Sequence, residues 1–261
     1  MSTVLVERRE SVRVLTLNQP ERLNAFTARM HAELRAALDE AGTDETVKVV
    51  VLTGTGRAFS SGQDLTEDLP RDAAGGIDLA PALARDYNPL ILQLTSFPKP
   101  VIAALNGPAV GAAMNIALAC DIAVAARSAT LQEAFVRIGL VPDAGGTWLL
   151  PRLVGMRRAL ALMMSGEALN AEAAERLGLV YKVFDDASFA EDVAAFAERI
   201  AQGPGLALRL MRQAVMASTT NDLPAQLALE AELQQRAGRS ADFAEGVKAF
   251  REKRKPRFQG E

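Results

Sequence analysis

Three glycine-containing segments of this chain combine small residues with groups able to handle developing charge. Residues 54–65 read GTGRAFSSGQDL and directly follow the apolar run VVVL. Glycines after a strand let the backbone turn sharply and expose N–H groups; an N–H donor near Ser61 and Gly62 would suit an oxygen that gains negative charge. The segment lacks GK[ST] and a complete G-x-G-x-x-G, so it is no nucleotide fingerprint, and an ordinary strand-to-helix loop remains the alternative. Residues 106–115, NGPAVGAAMN, follow a second β-type run. Their small side chains permit a helix N-terminus, with free N–H groups, to approach a ligand closely, or simply let a helix pack tightly on a sheet. Residues 138–150, IGLVPDAGGTWLL, place Asp143 after a proline and before a helical run. There it reads either as a helix N-cap or as a carboxylate base whose basicity rises beside an apolar pocket.

Other candidates have plainer readings. His31, the single histidine, falls among Arg29, Glu33 and Arg35 and reads as part of a solvated helix face. Trp148 reads as core packing. The segment 248–257, KAFREKRKPR, carries six Lys or Arg residues in ten; it is a solvated helix end or a local contact for phosphate groups.

Composition removes several classes of function. Twenty-nine Lys and Arg face 32 Asp and Glu, for a formal net charge of -3, so there is no global attraction to nucleic acid or an acidic membrane. One cysteine, Cys120, in an apolar run, excludes a disulfide scaffold and a multi-cysteine metal site. One histidine leaves little material for a zinc site or a Ser–His–Asp triad, and no metal is expected. The N-terminus MSTVLVERRE has no apolar h-region, and Asn115 and Asp121 interrupt the longest apolar stretch. Neither a signal peptide nor a membrane span is expected, and the plain reading is a cytoplasmic protein.

The elements that must position these residues follow from periodicity. Residues 4–8 and 12–17 are β-type runs joined by a tight link, a hairpin. Residues 27–41 have helical spacing, capped by Thr27 and stopped at Gly42. Buried strands are expected at 47–52, 101–105 and 122–126, with a helix over 110–119. Strands alternating with helices point to an α/β chain with parallel pairing, and ligands of such chains bind at the carboxyl ends of strands. Residues 69–81, rich in Pro, Gly and Asp, read as a surface loop. From residue 170 onward the pattern is almost wholly helical, with Ser188 and Glu191 at capping-box spacing. A soft boundary near residue 200 separates a layered core, 1–199, from a helical region, 200–261.

Taken together, LNQPERLNA, GRAFSSGQDL, KPVIAALNGPAVGAAMNIALACDI and RIGLVPDAGGTWLLPRLVG, followed by AERLGLVYKV and AFREKRKPRF, resemble the successive blocks of the crotonase (enoyl-CoA hydratase/isomerase) superfamily, across essentially the whole chain. The resemblance implies an α/β spiral of ββα turns with a helical C-terminal region used for trimerisation, as a homotrimer or a dimer of trimers. It also implies an acyl-CoA substrate bound in a bent shape between subunits. No separate cofactor is expected, because coenzyme A is part of the substrate. The backbone N–H groups of Ser61 and Ala112 would form an oxyanion hole for the thioester enolate. Arg22, Leu23, Ser60, Ser61, Gly62, Gln63, Asp64, Gly111, Phe250 and Lys253 would hold the CoA moiety.

In the family's hydratases two glutamates hold the water, and their positions carry Asn115 and Phe135 here, which disfavours hydration; Glu133 lies close by in sequence. Asp143 stands where the hydratases commonly carry glycine. GLVPDAGGTWLLPR and RAGRSADFAEGVKAFREKR resemble the branch that isomerises ring-1,2-epoxyphenylacetyl-CoA to oxepin-CoA in phenylacetate catabolism, in which that aspartate is the base. The expectation is therefore an acyl-CoA isomerase working by an enolate proton shuttle. The alternatives are a 3-enoyl/2-enoyl-CoA isomerase or hydratase of fatty-acid oxidation, and a non-catalytic acyl-CoA-binding scaffold, against which Asp143 argues.

Overall fold

The computed structural model describes residues 2–66 and 71–260. Strands β1 (Val4–Arg9) and β2 (Val12–Leu17) form the expected antiparallel hairpin. Helix α1 (Ala28–Thr43) begins at Thr27, whose hydroxyl accepts the Met30 N–H at 3.1 Å. It does not stop at Gly42 but runs one residue further, to a cap at Asp44. The physical stop is Lys99, whose Nζ donates to the carbonyls of Ala41 (2.7 Å) and Asp44 (2.6 Å) at the negative end of the helix.

Strand β3 (Val49–Gly54) pairs parallel with β2. A helical stretch follows that periodicity did not reveal: α2 (Ala80–Ala82), a π turn (Leu83–Tyr87) and α3 (Asn88–Ser96). Of the expected loop over 69–81, residues 69 and 70 lie outside the described residues, 71–77 are exposed, and 80–81 already belong to α2. The chain continues through β4 (Val101–Leu105), β5 (Ala109–Val110), α4 (Ala112–Leu118), β6 (Ile122–Ala126), β7 (Thr130–Gln132) and a 3-10 turn (Ala134–Ile138). Residue 110 is thus strand rather than the start of the helix. Then come α5 (Gly146–Val154), α6 (Met156–Ser165), β8 (Ala168–Asn170), α7 (Ala171–Arg176), β9 (Lys182–Phe184) and α8 (Phe189–Ala201). Helices α9 (Gly205–Ala217), α10 (Leu223–Gly238) and α11 (Ala241–Arg251) close the chain. Strand β9 interrupts the expected all-helical stretch. Ser188 makes no cap bond either: its hydroxyl donates to Asp192 at 2.7 Å, so the capping box does not form.

The main sheet runs β1-β2-β3-β4-β6-β9, parallel from β2 onward, and a second sheet runs β5-β7-β8. Alternation builds two cores. Val50, Leu52, Val101, Ala103, Leu105, Ala123 and Ala125 face α1 and α4, whereas Val49, Val51, Ile102, Ala104 and Val124 face Phe189, Val193 and Phe196 of α8. Burial on both faces explains why β3 and β4 read as continuous apolar runs instead of alternating ones. Because β3 and β4 run parallel, the segments that leave them emerge at the same edge of the sheet. No helix among the described residues is long and apolar enough to cross a membrane.

Candidate active site

The loop after β3 is laced to its surroundings by Asn24, which is wholly buried and donates from Nδ2 to the carbonyls of Thr55 and Ala58, both at 2.9 Å. Beyond it, nearly every backbone donor is engaged. Ser60 N–H goes to Pro108 O (3.1 Å), Ser61 N–H to Leu23 O (2.9 Å), Gly62 N–H to Ser60 Oγ (3.2 Å), and Asp64 N–H to Phe26 O (3.0 Å). Among the described residues, the Gln63 N–H has no such partner. Gly62 has φ +89°, and a Cβ there would sit 2.7 Å from Val110 O and 3.7 Å from Ala112 N. The loop therefore presses on the β5–α4 junction at a point only glycine tolerates. Ala112 opens α4, so its N–H has no carbonyl one turn back to receive it. Gly62, the residue before Gln63, lies against Ala112 N, so among the described residues two backbone donors without partners, those of Gln63 and Ala112, belong to adjoining segments here.

Strand β7 brings up the second half of the site. Gln132 O accepts the Gly111 N–H at 2.8 Å, which sets the next residue, Glu133, beside the start of α4. Glu133 is 1% exposed, and among the described residues neither carboxyl oxygen has a hydrogen-bond partner of good geometry. Burial pushes its carboxyl up to about 7; the neighbouring Asn115 amide offsets part of that rise, and the charge of Asp143 adds to it. Asn115, one turn into α4 and wholly buried, donates from Nδ2 to the main-chain carbonyl of Asp143 at 3.0 Å. Gly146 is obligatory beside it, because a Cβ there would lie 2.3 Å from the Asn115 amide. Asp143 itself is half-buried, its Oδ1 has no partner, and burial raises its carboxyl to about 6, against a small opposing effect of its own backbone N–H. It does not cap α5: the cap position is Gly145, and Asp143 contributes only its main-chain carbonyl, to Gly146 N–H at 2.9 Å. A carboxylate with raised basicity beside paired oxyanion donors is an apparatus for moving a proton next to a carbonyl group.

The family model described as Enoyl-CoA hydratase/isomerase matches residues 7–261. This chain is a crotonase-family enzyme. It is 48% identical over 258 residues to a probable enoyl-CoA hydratase of Rhodobacter capsulatus, covering 99% of this chain and 98% of that one. It is 45% identical over 260 residues to the 1,2-epoxyphenylacetyl-CoA isomerase of Escherichia coli K12, covering 100% and 99%. A crystal structure of an enoyl-CoA hydratase from Bacillus anthracis superposes with a TM-score of 0.93 at 32% identity, over 99% of this chain and 100% of that one.

Placing the sequence-derived residues on this crotonase fold brings several corrections. The Ser61 N–H is not available as an oxyanion donor, because Leu23 O already accepts it; the loop's unpartnered N–H belongs to Gln63. Ser60 is wholly buried with its hydroxyl turned to Gly62, and Asp64, 4% exposed, is held by Arg22 (2.7 Å) and by the Thr66 hydroxyl and N–H. The Thr66 hydroxyl and N–H, together with Arg22, keep the Asp64 carboxyl below its usual range despite its burial. Ser60, Asp64 and the Arg22 guanidinium therefore fasten the loop rather than line it. Leu23, Ser61, Gly62, Gln63 and Gly111 do cluster at the donors. Phe250 is 85% exposed, and none of the described hydrogen bonds or ion pairs ties α11 or Lys253 to these loops.

His31 is not on a solvated face. It is 2% exposed, its ring lying 4.9 Å from that of Phe26 and 4.2 Å from that of Tyr87, and burial pushes it down to about 4. The Tyr87 hydroxyl in turn donates to Gln63 Oε1 at 2.6 Å, so His31 backs the donor loop. Trp148 is not core either: it is 40% exposed and stacks under Arg152 at 3.9 Å. Sequence reading passed over the role of the Gln63 N–H, and only the nearness of Glu133 to Phe135 in the chain hinted at the second carboxyl.

Proposed function

We propose that this enzyme isomerises acyl-CoA thioesters through an enolate, converting ring-1,2-epoxyphenylacetyl-CoA to oxepin-CoA within phenylacetate degradation. The observation that carries the reading is Asp143: a half-buried carboxylate with one unpartnered oxygen and raised basicity, in a site that also holds two free N–H donors. The Gln63 and Ala112 N–H groups grip the thioester oxygen. Asp143 removes a proton from the carbon next to the thioester, and the electron pair left behind becomes the enolate. Return of a proton at a distant carbon completes the shift. Two fixed donors matter because losing one such donor elsewhere costs about 3–4 kcal/mol of barrier. Likeness to the Escherichia coli isomerase along the full chain supports the choice of the ring epoxide.

Coenzyme A enters as part of the substrate, and no separate cofactor is called for. The exposed Phe250 and the basic 248–257 segment suit a CoA moiety shared with a neighbouring subunit of a trimer or dimer of trimers in the cytoplasm. The ultraviolet spectrum of the product formed from the ring epoxide tests the reading: a conjugated oxepin is expected. Turnover of linear 3-enoyl-CoA alone would shift the assignment to a fatty-acid isomerase. A second reading, hydration, has one specific observation in its favour, the presence of Glu133 as a second buried carboxyl near Asp143, and the Rhodobacter capsulatus relative is named a probable hydratase.

A further inference from the structure

Buried carboxyl groups in folded proteins are almost always paired or hydrogen-bonded, because desolvating them without compensation costs several kcal/mol. Glu133 breaks that rule. It is 1% exposed, and among the described residues neither of its oxygens has a hydrogen-bond partner of good geometry. A structural carboxylate would have its Arg, Lys or backbone N–H groups; this one has as neighbour only a neutral amide, Asn115, whose Nδ2 gives one of its two hydrogens to Asp143 O at 3.0 Å. The backbone also places the residue next to the start of α4. Gln132 O fixes Gly111 N–H at 2.8 Å, so Glu133 follows directly on the residue that anchors the turn into Ala112. The Phe135 ring, two residues on and 7% exposed, comes within 3.7 Å of where a Gly111 side chain would begin, and walls the same corner with apolar surface.

Resting on the isomerase reading above, we infer that Glu133 is a second catalytic carboxyl, which delivers a proton to the far carbon of the substrate while Asp143 withdraws one from the carbon beside the thioester. In a 3-enoyl thioester the Asp143 carboxylate takes the C2 proton, and the C2–H pair becomes the dienolate. The Glu133 acid then gives its proton to C4, the C4–H bond forms, and the double bond settles between C2 and C3. Asp143 ends protonated and Glu133 ionised, so the pair carries one negative charge before and after. Asp143 then loses its proton to water and Glu133 takes one from water, which resets the site. Glu133 is suited to the acid role because burial, with the charge of Asp143, holds a large share of it neutral near pH 7. The two carboxyls feel one another's charge, so a single proton held between them is the expected resting state.

The experiment follows a label. A linear 3-enoyl-CoA carrying deuterium at both C2 positions is turned over in ordinary water, and deuterium at C4 of the 2-enoyl product is measured by mass spectrometry. The wild-type enzyme is expected to place mostly protium at C4, supplied by Glu133. Glu133→Gln has the same shape but no proton to give, so Asp143 must return what it took. That variant is expected to carry deuterium to C4 and to turn over between about tenfold and a hundredfold more slowly. Glu133→Asp, which keeps an acid, is expected to restore protium in part; it also carries the test if circular dichroism shows the glutamine variant to be misfolded. Equal deuterium at C4 in wild type and Glu133→Gln overturns the assignment and leaves Asp143 as a single-base shuttle. A wild-type enzyme that exchanges C2 protons yet never shifts the double bond overturns the isomerase reading, and this assignment falls with it.

Discussion

The Asn115 side-chain amide donates to the main-chain carbonyl of Asp143 across 3.0 Å, binding the first turn of α4 to the loop that carries the site's most basic accessible carboxylate. This bond between a helix residue and a loop residue thus holds the Asp143 loop against the helix that begins with the free Ala112 N–H. Proton transfer depends on that distance, because reacting atoms must be held near contact for the whole encounter.

Asp143→Asn is expected to lower isomerisation by at least about a hundredfold, since the amide keeps the shape and loses the basicity. The fold should survive and above pH 6 should gain stability. Native Asp143 titrates at about 6 against an ordinary 3.8, so the folded state binds the extra proton between those values. Stability is lost as pH rises through that window, by up to about 3 kcal/mol, and the variant escapes the loss. Melting curves of wild type and variant at pH 4 and pH 8 measure it; a variant no more stable than wild type at pH 8 refutes the assignment of a strained, desolvated carboxylate.

Activity should fall as the medium is acidified through about 6, because Asp143 must be ionised to accept a proton. Below that point the rate is expected to drop roughly tenfold per pH unit. The profile of kcat/KM reports it, and a flat profile down to pH 5 excludes Asp143 as the base.

Ser61→Ala is expected to change turnover little, because the Ser61 N–H belongs to Leu23 and, among the described residues, its hydroxyl donates to Arg22 O at a long 3.3 Å. Ala112→Pro removes an N–H at the first helical position, where proline is best tolerated, and should slow enolisation by about a hundredfold or more. Deuterium exchange at the alpha carbon of a saturated acyl-CoA isolates that step. Exchange at the wild-type rate by a folded Ala112→Pro protein removes Ala112 from the oxyanion hole.

His31 should make the fold acid-sensitive. Its folded value of about 4 lies below the ordinary 6.5, so the unfolded chain binds the proton first and stability drops as pH falls from 6.5 toward 4. The loss amounts to about 3 kcal/mol at the acid end. Asp143 and Glu133 act in the opposite sense over much of the same range, so the informative quantity is the difference between wild type and His31→Phe, whose ring also suits the gap between Phe26 and Tyr87. Parallel stability curves for the two proteins between pH 4 and 6.5 contradict the prediction.

What the sequence determined by itself is the part written in local pattern. Continuous apolar runs marked β3 and β4 because both faces of those strands are buried, and Thr27 marked the start of α1 because a hydroxyl there meets an orphan N–H. The ordered blocks named the fold, and a lone Asp143 after a proline in an apolar stretch stood out as a base or a cap. Tertiary structure decided which. Whether an N–H is free depends on which carbonyl reaches it from elsewhere: Leu23 takes Ser61's, leaving Gln63's, and nothing within residues 60–64 foretells a partner 38 positions upstream. The same holds for burial. His31 has charged neighbours in sequence but lies under Phe26 and Tyr87, the latter on a helical stretch whose pattern was hidden by its π turn. Glu133 is an unremarkable residue just past a three-residue strand until β5 and β7 pair and carry it to the start of α4. Local spacing sets elements, whereas desolvation and the competition for hydrogen bonds belong to the packed whole.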